Sequence, residues 1–292
     1  MEPAAPVRTE GPANAQTDAT ERRARSGALG PRVVSALVLA PVALGCVALG
    51  GVAFTALVGL SACLMAYEWS RLSEPGAALF AAVLQGSVLV AVVALAMFGR
   101  LAEAALVGIG GLALAAVSAR LRKASAVWPV LGLVYLGVPC AALVWLRSAP
   151  PDGARLVLWT LFLVWAVDIG AYAAGRTFGG PKLAPRISPG KTWSGLVGGA
   201  AVGSLVAGLA GAVLHLGPAL SLAGLGAALA VLEQGGDLAE SAFKRHWQAK
   251  DAGSLIPGHG GVLDRVDGLL AVVPAVALLA AWRAAHGAAG LL

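Results

Sequence analysis

Residues 33–67 read VVSALVLAPVALGCVALGGVAFTALVGLSACLMAY, an apolar stretch of 35 residues without one charged side chain. A helix crosses the hydrocarbon core of a bilayer with roughly 20 apolar residues, so this stretch has the length for two crossings, at 33–50 and 51–67. Working outward, further apolar runs lie at 77–98, 102–118, 126–146, 156–175, 193–214, 217–235 and 269–286. Together they predict about nine transmembrane helices. Composition agrees: 58% of the 292 residues are hydrophobic, 12% are charged, and the mean hydropathy is +0.81, outside the range of soluble globular domains. A chain crossing lipid must satisfy its backbone hydrogen bonds internally. The expected fold is therefore an all-α polytopic membrane protein with charged cytoplasmic loops.

Three regions follow. Residues 1–31 are rich in Pro, Ala, Thr and Arg, lack periodicity, and read as a disordered cytoplasmic tail, too long and too mixed in charge for the start of a signal peptide. Residues 32–150 read as a transmembrane scaffold and 151–292 as a transmembrane catalytic region, because the acids within or beside apolar runs gather in the second half: Asp168, Glu233, Asp237, Glu240, Asp251, Asp264 and Asp267. With nine crossings, 17 of the 21 Lys and Arg residues share the side of the tail, leaving only Arg100, Arg147, Arg155 and Arg283 opposite. The positive-inside rule places that side in the cytoplasm. Cys46, Cys63 and Cys140 sit in apolar runs without metal-ligand spacing and read as packing residues. Gly195, Gly199, Gly203, Ala207 and Gly211 recur every four residues, a small-residue stripe that admits another helix closely in lipid. Packing within the chain is the expectation, a dimer interface the alternative.

The chemistry concentrates in three segments. If the eighth helix runs on through VLEQGGDLAESAFKRHW (231–247), Glu233, Asp237, Glu240, Ser241 and Lys244 share one face. Carboxylates so close to hydrocarbon need water, a counter-charge or a metal, and Gly235 and Gly236 invite close approach of another backbone or a ligand. In PGHGGVLDRVD (257–267), a glycine-rich loop leads to Asp264 and Asp267, which with Asp237 could offer oxygen ligands to a hard cation. Acids surrounded by Lys244, Arg245, Lys250 and Arg265 point to a metal and phosphate site rather than a cation path. The basic segment GRTFGGPKLAPRISPGKTWSG (175–195) carries Lys182, Arg186 and Lys191 as candidate phosphate contacts, or contacts to lipid headgroups. Its SPGKT is not a P-loop, because Pro185 stands where that pattern requires Gly. Asp168, inside the sixth run, is a functional candidate by its position, although Tyr172 at i+4 could satisfy it as a structural hydrogen bond.

The segment SAFKRHWQAKDAGSLIPGHGGVLDRVD (241–267) resembles the signature of the phosphatidate cytidylyltransferase family at Ser241, Lys244, Arg245, Lys250, Asp251, His259, Gly260, Gly261, Asp264, Arg265 and Asp267. The similarity continues through DIGAYAAGRTFGGPKLAPRISPGKTWSG and, more faintly, RVVSALVLAPVAL and YEWSRL. The resemblance implies a multi-pass enzyme of the cell membrane, usually a homodimer, with its active site facing the cytoplasm. Such an enzyme is a nucleotidyltransferase of phospholipid biosynthesis that condenses CTP with phosphatidate, giving CDP-diacylglycerol and diphosphate with the help of Mg2+, and a monovalent cation such as K+ is linked to its site. It gives the metal to Asp237 and Asp264; catalysis to Lys244, Arg245, Asp251, Arg265 and Asp267; and substrate binding to Lys182, Arg186, Ser188, Lys191, Ser241, His259, Gly260 and Gly261. His259 reads as a phosphate or structural contact, since attack by a phosphate needs no general base. Ser194 departs from the family pattern, which commonly has Glu there. Two alternatives differ in their products: an ion-coupled transporter gives none, and a CTP-dependent lipid kinase releases CDP.

Overall fold

The structure is a computed structural model in which residue 35 and residues 37–149, 151–256 and 260–287 are described; the tail 1–31 and His259 lie outside them. Its elements are α1 (Leu37–Leu49), α2 (Gly51–Ser73), α3 (Ala78–Met97), α4 (Leu101–Leu121), α5 (Val127–Ser148), α6 (Gly153–Phe178), β1 (Lys182–Ala184), β2 (Ser188–Thr192), α7 (Trp193–Val213), α8 (Ala219–His246) and α9 (Leu263–Ala285). Among the described residues, eight of these helices, α2 to α9, are long and apolar enough to cross a membrane, and α1 is a shorter apolar helix.

The break between α1 and α2 falls at Gly50 and Gly51, both with positive φ (64° and 49°), a conformation glycine adopts without steric cost. Arg147 of α5 covers the end of α1: its Nε donates to the Val47 carbonyl at 2.6 Å and its Nη2 to the Ala48 carbonyl at 3.1 Å. Carbonyls at a helix C-terminus lack intrahelical donors, and a cation is favourable there.

The small-residue stripe packs within the chain. All five of its residues are buried on α7, and a Cβ added at Gly203 would meet Val167 and Leu163 of α6 and Ala230 of α8. The backbones come close enough for cross-helix bonds: Trp159 of α6, fully buried, donates its indole N–H to the Ala207 carbonyl at 2.8 Å, and Ser204 of α7 donates to the Ala223 carbonyl of α8 at 2.8 Å. Large apolar side chains point outward elsewhere, such as Leu106, Ile109 and Leu121 of α4, as expected of faces turned to lipid.

Three elements differ from the apolar runs. Helix α2 continues to Ser73, α8 continues to His246, and α9 begins at Leu263, each beyond the run that announced it, because polar residues on one face extend a helix without extending its hydropathy. The basic loop is not irregular either. It folds into an antiparallel hairpin with Lys182 opposite Thr192 and Ala184 opposite Ser188, so the rejected P-loop sequence SPGKT is strand β2. The hairpin hands over to α7 through Thr192, whose Oγ1 accepts the Gly195 N–H at 3.1 Å, a helix N-cap.

Candidate functional site

Helix α8 supplies the floor of the site. Since it runs unbroken from Ala219 to His246, Glu233, Asp237, Glu240, Ser241 and Lys244 fall on one face. Gly236 lets α9 approach: a Cβ there would meet Ala271 and the Asp267 carbonyl, and one at Gly268 would meet the Glu233 carboxylate. The first turns of α9 carry Asp264 and Asp267 against this face, with Arg265 exposed beside them, and acids suit the positive end of a helix.

Lysine 244 is shared between the two helices. Its Nζ lies 2.5 Å from Glu240 Oε2 and 2.7 Å from Asp264 Oδ1, with the Glu240 side chain 0% and the Asp264 side chain 4% exposed. Lys191 arrives from strand β2, with Nζ 2.7 Å from Asp237 Oδ2 and donating to Gln234 Oε1 at 3.1 Å. Gln234 donates in turn to Glu233 Oε2 at 2.8 Å, and the Glu233 carboxyl is within hydrogen-bonding reach of Asp168 on α6. Asp168 therefore belongs to this network, while the Tyr172 hydroxyl accepts from Arg176 at 3.0 Å. Asp168 and Asp237 are charged neighbours of Asp267, and Arg265 is one of Asp168.

The remaining candidates scatter around this centre. Ser241 donates to Asp237 Oδ1 at 3.3 Å. Arg245 holds the hairpin turn, its Nε donating to the Ile187 carbonyl at 3.2 Å and its Nη1 to the Ala249 carbonyl at 2.9 Å. Ser188 is half-buried at the start of β2, whereas Lys182, Arg186, Lys250 and Asp251 are exposed. Gly260 has φ 87° and closes the signature loop by exchanging backbone hydrogen bonds with Ile256. Gly261 donates its N–H to Asp264 Oδ2 at 2.8 Å. Ser194 donates to the Gly179 carbonyl at 2.5 Å and so ties the start of α7 to the C-terminal end of α6.

The two carboxylates that the resemblance gives to a metal differ in what they have left to offer. Asp264 is engaged on both oxygens, by Lys244 and by the backbone N–H groups of Ala252 and Gly261. Asp237 meets Lys191 on one oxygen and a long hydroxyl contact on the other. Among the described residues no group of three or more His, Cys, Asp or Glu side chains is arranged as a metal cage. Magnesium usually takes one or two carboxylates, completing its shell with phosphate oxygens and water, and Asp237, the less engaged of the two, suits that demand.

Sequence reasoning missed Glu68 of α2. It is 1% exposed and accepts the N–H groups of Val262 and Leu263 at 2.9 and 2.8 Å. Its signal was present in YEWSRL, an acid at the end of an apolar run, in the part of the chain read as scaffold.

Comparison with known proteins identifies relatives of the chain. The cytidylyltransferase family matches residues 30–282. A phosphatidate cytidylyltransferase of Brucella suis is 41% identical over 257 residues, covering 86% of this chain and 92% of the relative. One from Pseudomonas aeruginosa is 42% identical over 273 residues, covering 88% and 98%. One from Bacillus subtilis is 34% identical over 145 residues, about half of each chain.

Proposed function

We propose that this chain, which belongs to the cytidylyltransferase family, is a nucleotidyltransferase that condenses CTP with phosphatidate to give CDP-diacylglycerol and diphosphate. What carries the reading is the pair of relatives named phosphatidate cytidylyltransferase that match across 86% and 88% of the chain. The placement of acids and bases supports it. Lys191 and Lys244 enter a nest of carboxylates from different elements, as a site that must bring two polyanions together requires.

A phosphatidate oxygen attacks the α-phosphorus of CTP. A new P–O bond forms as the bond from the α-phosphorus to the bridging oxygen breaks, and diphosphate leaves with that electron pair. The nucleophile is already an anion, so the protein supplies alignment and charge compensation. Lys191, Lys244, Arg245 and Arg265 are the proposed cations, with Lys182, Arg186, Ser188 and Ser241 as further contacts to phosphate and Asp251 bordering the signature loop. Asp237, with the signature carboxylates Asp264 and Asp267 beside it, would hold magnesium, which would supply charge neutralisation for the nucleotide phosphates and the leaving diphosphate. We place the site on the cytoplasmic side, where most of the Lys and Arg residues lie, and read the chain as a homodimer.

The test is diphosphate release by the purified protein in detergent with phosphatidate, CTP and magnesium, alongside Asp237→Asn. Diphosphate and CDP-diacylglycerol made only with both substrates, and lost in a folded Asp237→Asn, supports the reading. Release of CDP turns it to a lipid kinase, and a well-folded wild type without turnover refutes it.

A further inference from the structure

Glu68 lies five residues before the end of α2, yet its carboxylate works almost 200 residues further along the chain. Oε1 accepts the N–H of Val262 at 2.9 Å and Oε2 that of Leu263 at 2.8 Å. These are orphan donors at the start of α9, and Val262, at the N-cap, offers no side-chain hydrogen bond to its helix. Glu68 does from another helix what an N-cap side chain ordinarily does.

Space for it is made by glycine. A Cβ added at Gly253 or at Gly261 would stand 2.6 Å from Glu68 Oε1, closer than a carbon and an oxygen can pack. Asp264 meanwhile accepts from the N–H groups of Ala252 and Gly261. The two carboxylates thus fasten four backbone donors that bracket the signature loop, at residues 252, 261, 262 and 263. The next residue of α2 does the same for α8: the Trp69 ring stacks on Phe243 with centroids 3.8 Å apart and planes 5° from parallel, and Phe243 precedes Lys244.

We propose that Glu68 is a positioning residue of the reaction: its carboxylate sets the first turn of α9, with Asp264, Arg265 and Asp267, against Lys244 on α8. Gly253 and Gly261 are glycines so that it can enter, which gives Gly261 a part besides any contact with substrate. This rests on the proposed cytidylyl transfer at that site.

The experiment compares full-length wild type, Glu68→Gln, Glu68→Asp and Gly253→Ala in detergent, reading kcat, KM for CTP, and amide hydrogen exchange at residues 262 and 263. Gln is isosteric but turns an NH2 donor toward backbone donors; Asp keeps both acceptors on a stem shorter by one methylene. Misplacing reacting groups by about 1 Å costs about 100-fold, so Glu68→Gln loses about that in kcat while KM for CTP moves far less. Glu68→Asp recovers part of that loss, and exchange at 262 and 263 accelerates in Gln more than in Asp. A space-filling role gives the opposite order, with the isosteric Gln near wild type, and that order overturns the proposal. Should Glu68→Gln not fold, Gly253→Ala decides, since Glu68 is then present but displaced: a kcat loss supports the proposal and wild-type kcat overturns it. Should wild type itself show no turnover, the proposed function fails on its own, and unchanged exchange at 262 and 263 in Glu68→Gln still overturns the positioning.

Discussion

Replacing Lys244 by Met tests the link between α8 and α9. The ammonium lies 2.5 Å from Glu240 and 2.7 Å from Asp264, whose side chains are 0% and 4% exposed, so Met leaves two carboxylates without their shared cation. Asp264 keeps the N–H groups of Ala252 and Gly261, whereas Glu240 has no such substitute among the described contacts, and it bears most of the cost. Removing one partner of a buried pair costs about 3–5 kcal/mol, a large part of the roughly 5–15 kcal/mol that holds a protein folded. At about 2–4 °C per kcal/mol for chains of this order of size, Lys244→Met lowers the thermal midpoint in detergent by roughly 6–20 °C. Adding Glu240→Gln removes the stranded charge, so the double variant melts above Lys244→Met alone. The reasoning fails if Lys244→Met melts with wild type, or if Glu240→Gln lowers the midpoint equally in both backgrounds.

Two glycines of α8 make a paired test of the packing. A Cβ at Gly226 would strike Ala207 and sit 3.2 Å from the Gly203 carbonyl, whereas one at Gly224 meets nothing within 4 Å. Gly226→Ala therefore destabilises by about 1–3 kcal/mol, and Gly224→Ala stabilises by up to about 1 kcal/mol through helix propensity; thermal midpoints measure both, and equal shifts refute the assignment of faces. Arg245→Ala frees the hairpin turn at Ile187, so trypsin cleaves after Arg186 faster than in wild type, and an unchanged cleavage rate shows that the hairpin does not depend on this bond.

The membrane fold was legible because hydropathy needs only a count: the runs from 77–98 onward each found a helix. The stripe from Gly195 to Gly211 was legible because small residues at a spacing of four define a face whatever they pack against. The hairpin was not, since Pro185 and Pro189 argue against strands; it forms where the short segment 182–192 is held by Arg245 at its turn and Lys191 at its exit. Nor was the division of labour among the acids. Sequence puts Asp237, Asp264 and Asp267 together by face, but only the loop's path reveals that Asp264 spends both oxygens on Lys244 and on N–H groups of residues 252 and 261. Glu68 escaped because YEWSRL shows an acid at the end of an apolar run but not its partners, which are backbone donors almost 200 residues away.

Helix length explains why the chemistry lies where it does. The 28 residues of α8 span about 42 Å at 1.5 Å per residue, against a hydrocarbon core of about 30 Å. If the helix enters at Ala219, its last two turns, with Glu240, Ser241, Lys244 and Arg245, stand beyond the core, and Asp237 lies close to its edge. Helix α9 begins at Leu263, six residues ahead of its apolar run, so Asp264 and Asp267 precede the lipid in the same way. Each helix is a membrane span at one end and a charged arm at the other, and a period of 3.6 residues keeps the two arms' polar faces toward each other. At that depth a phosphate on a lipid and a nucleotide from water can meet without either leaving its own phase.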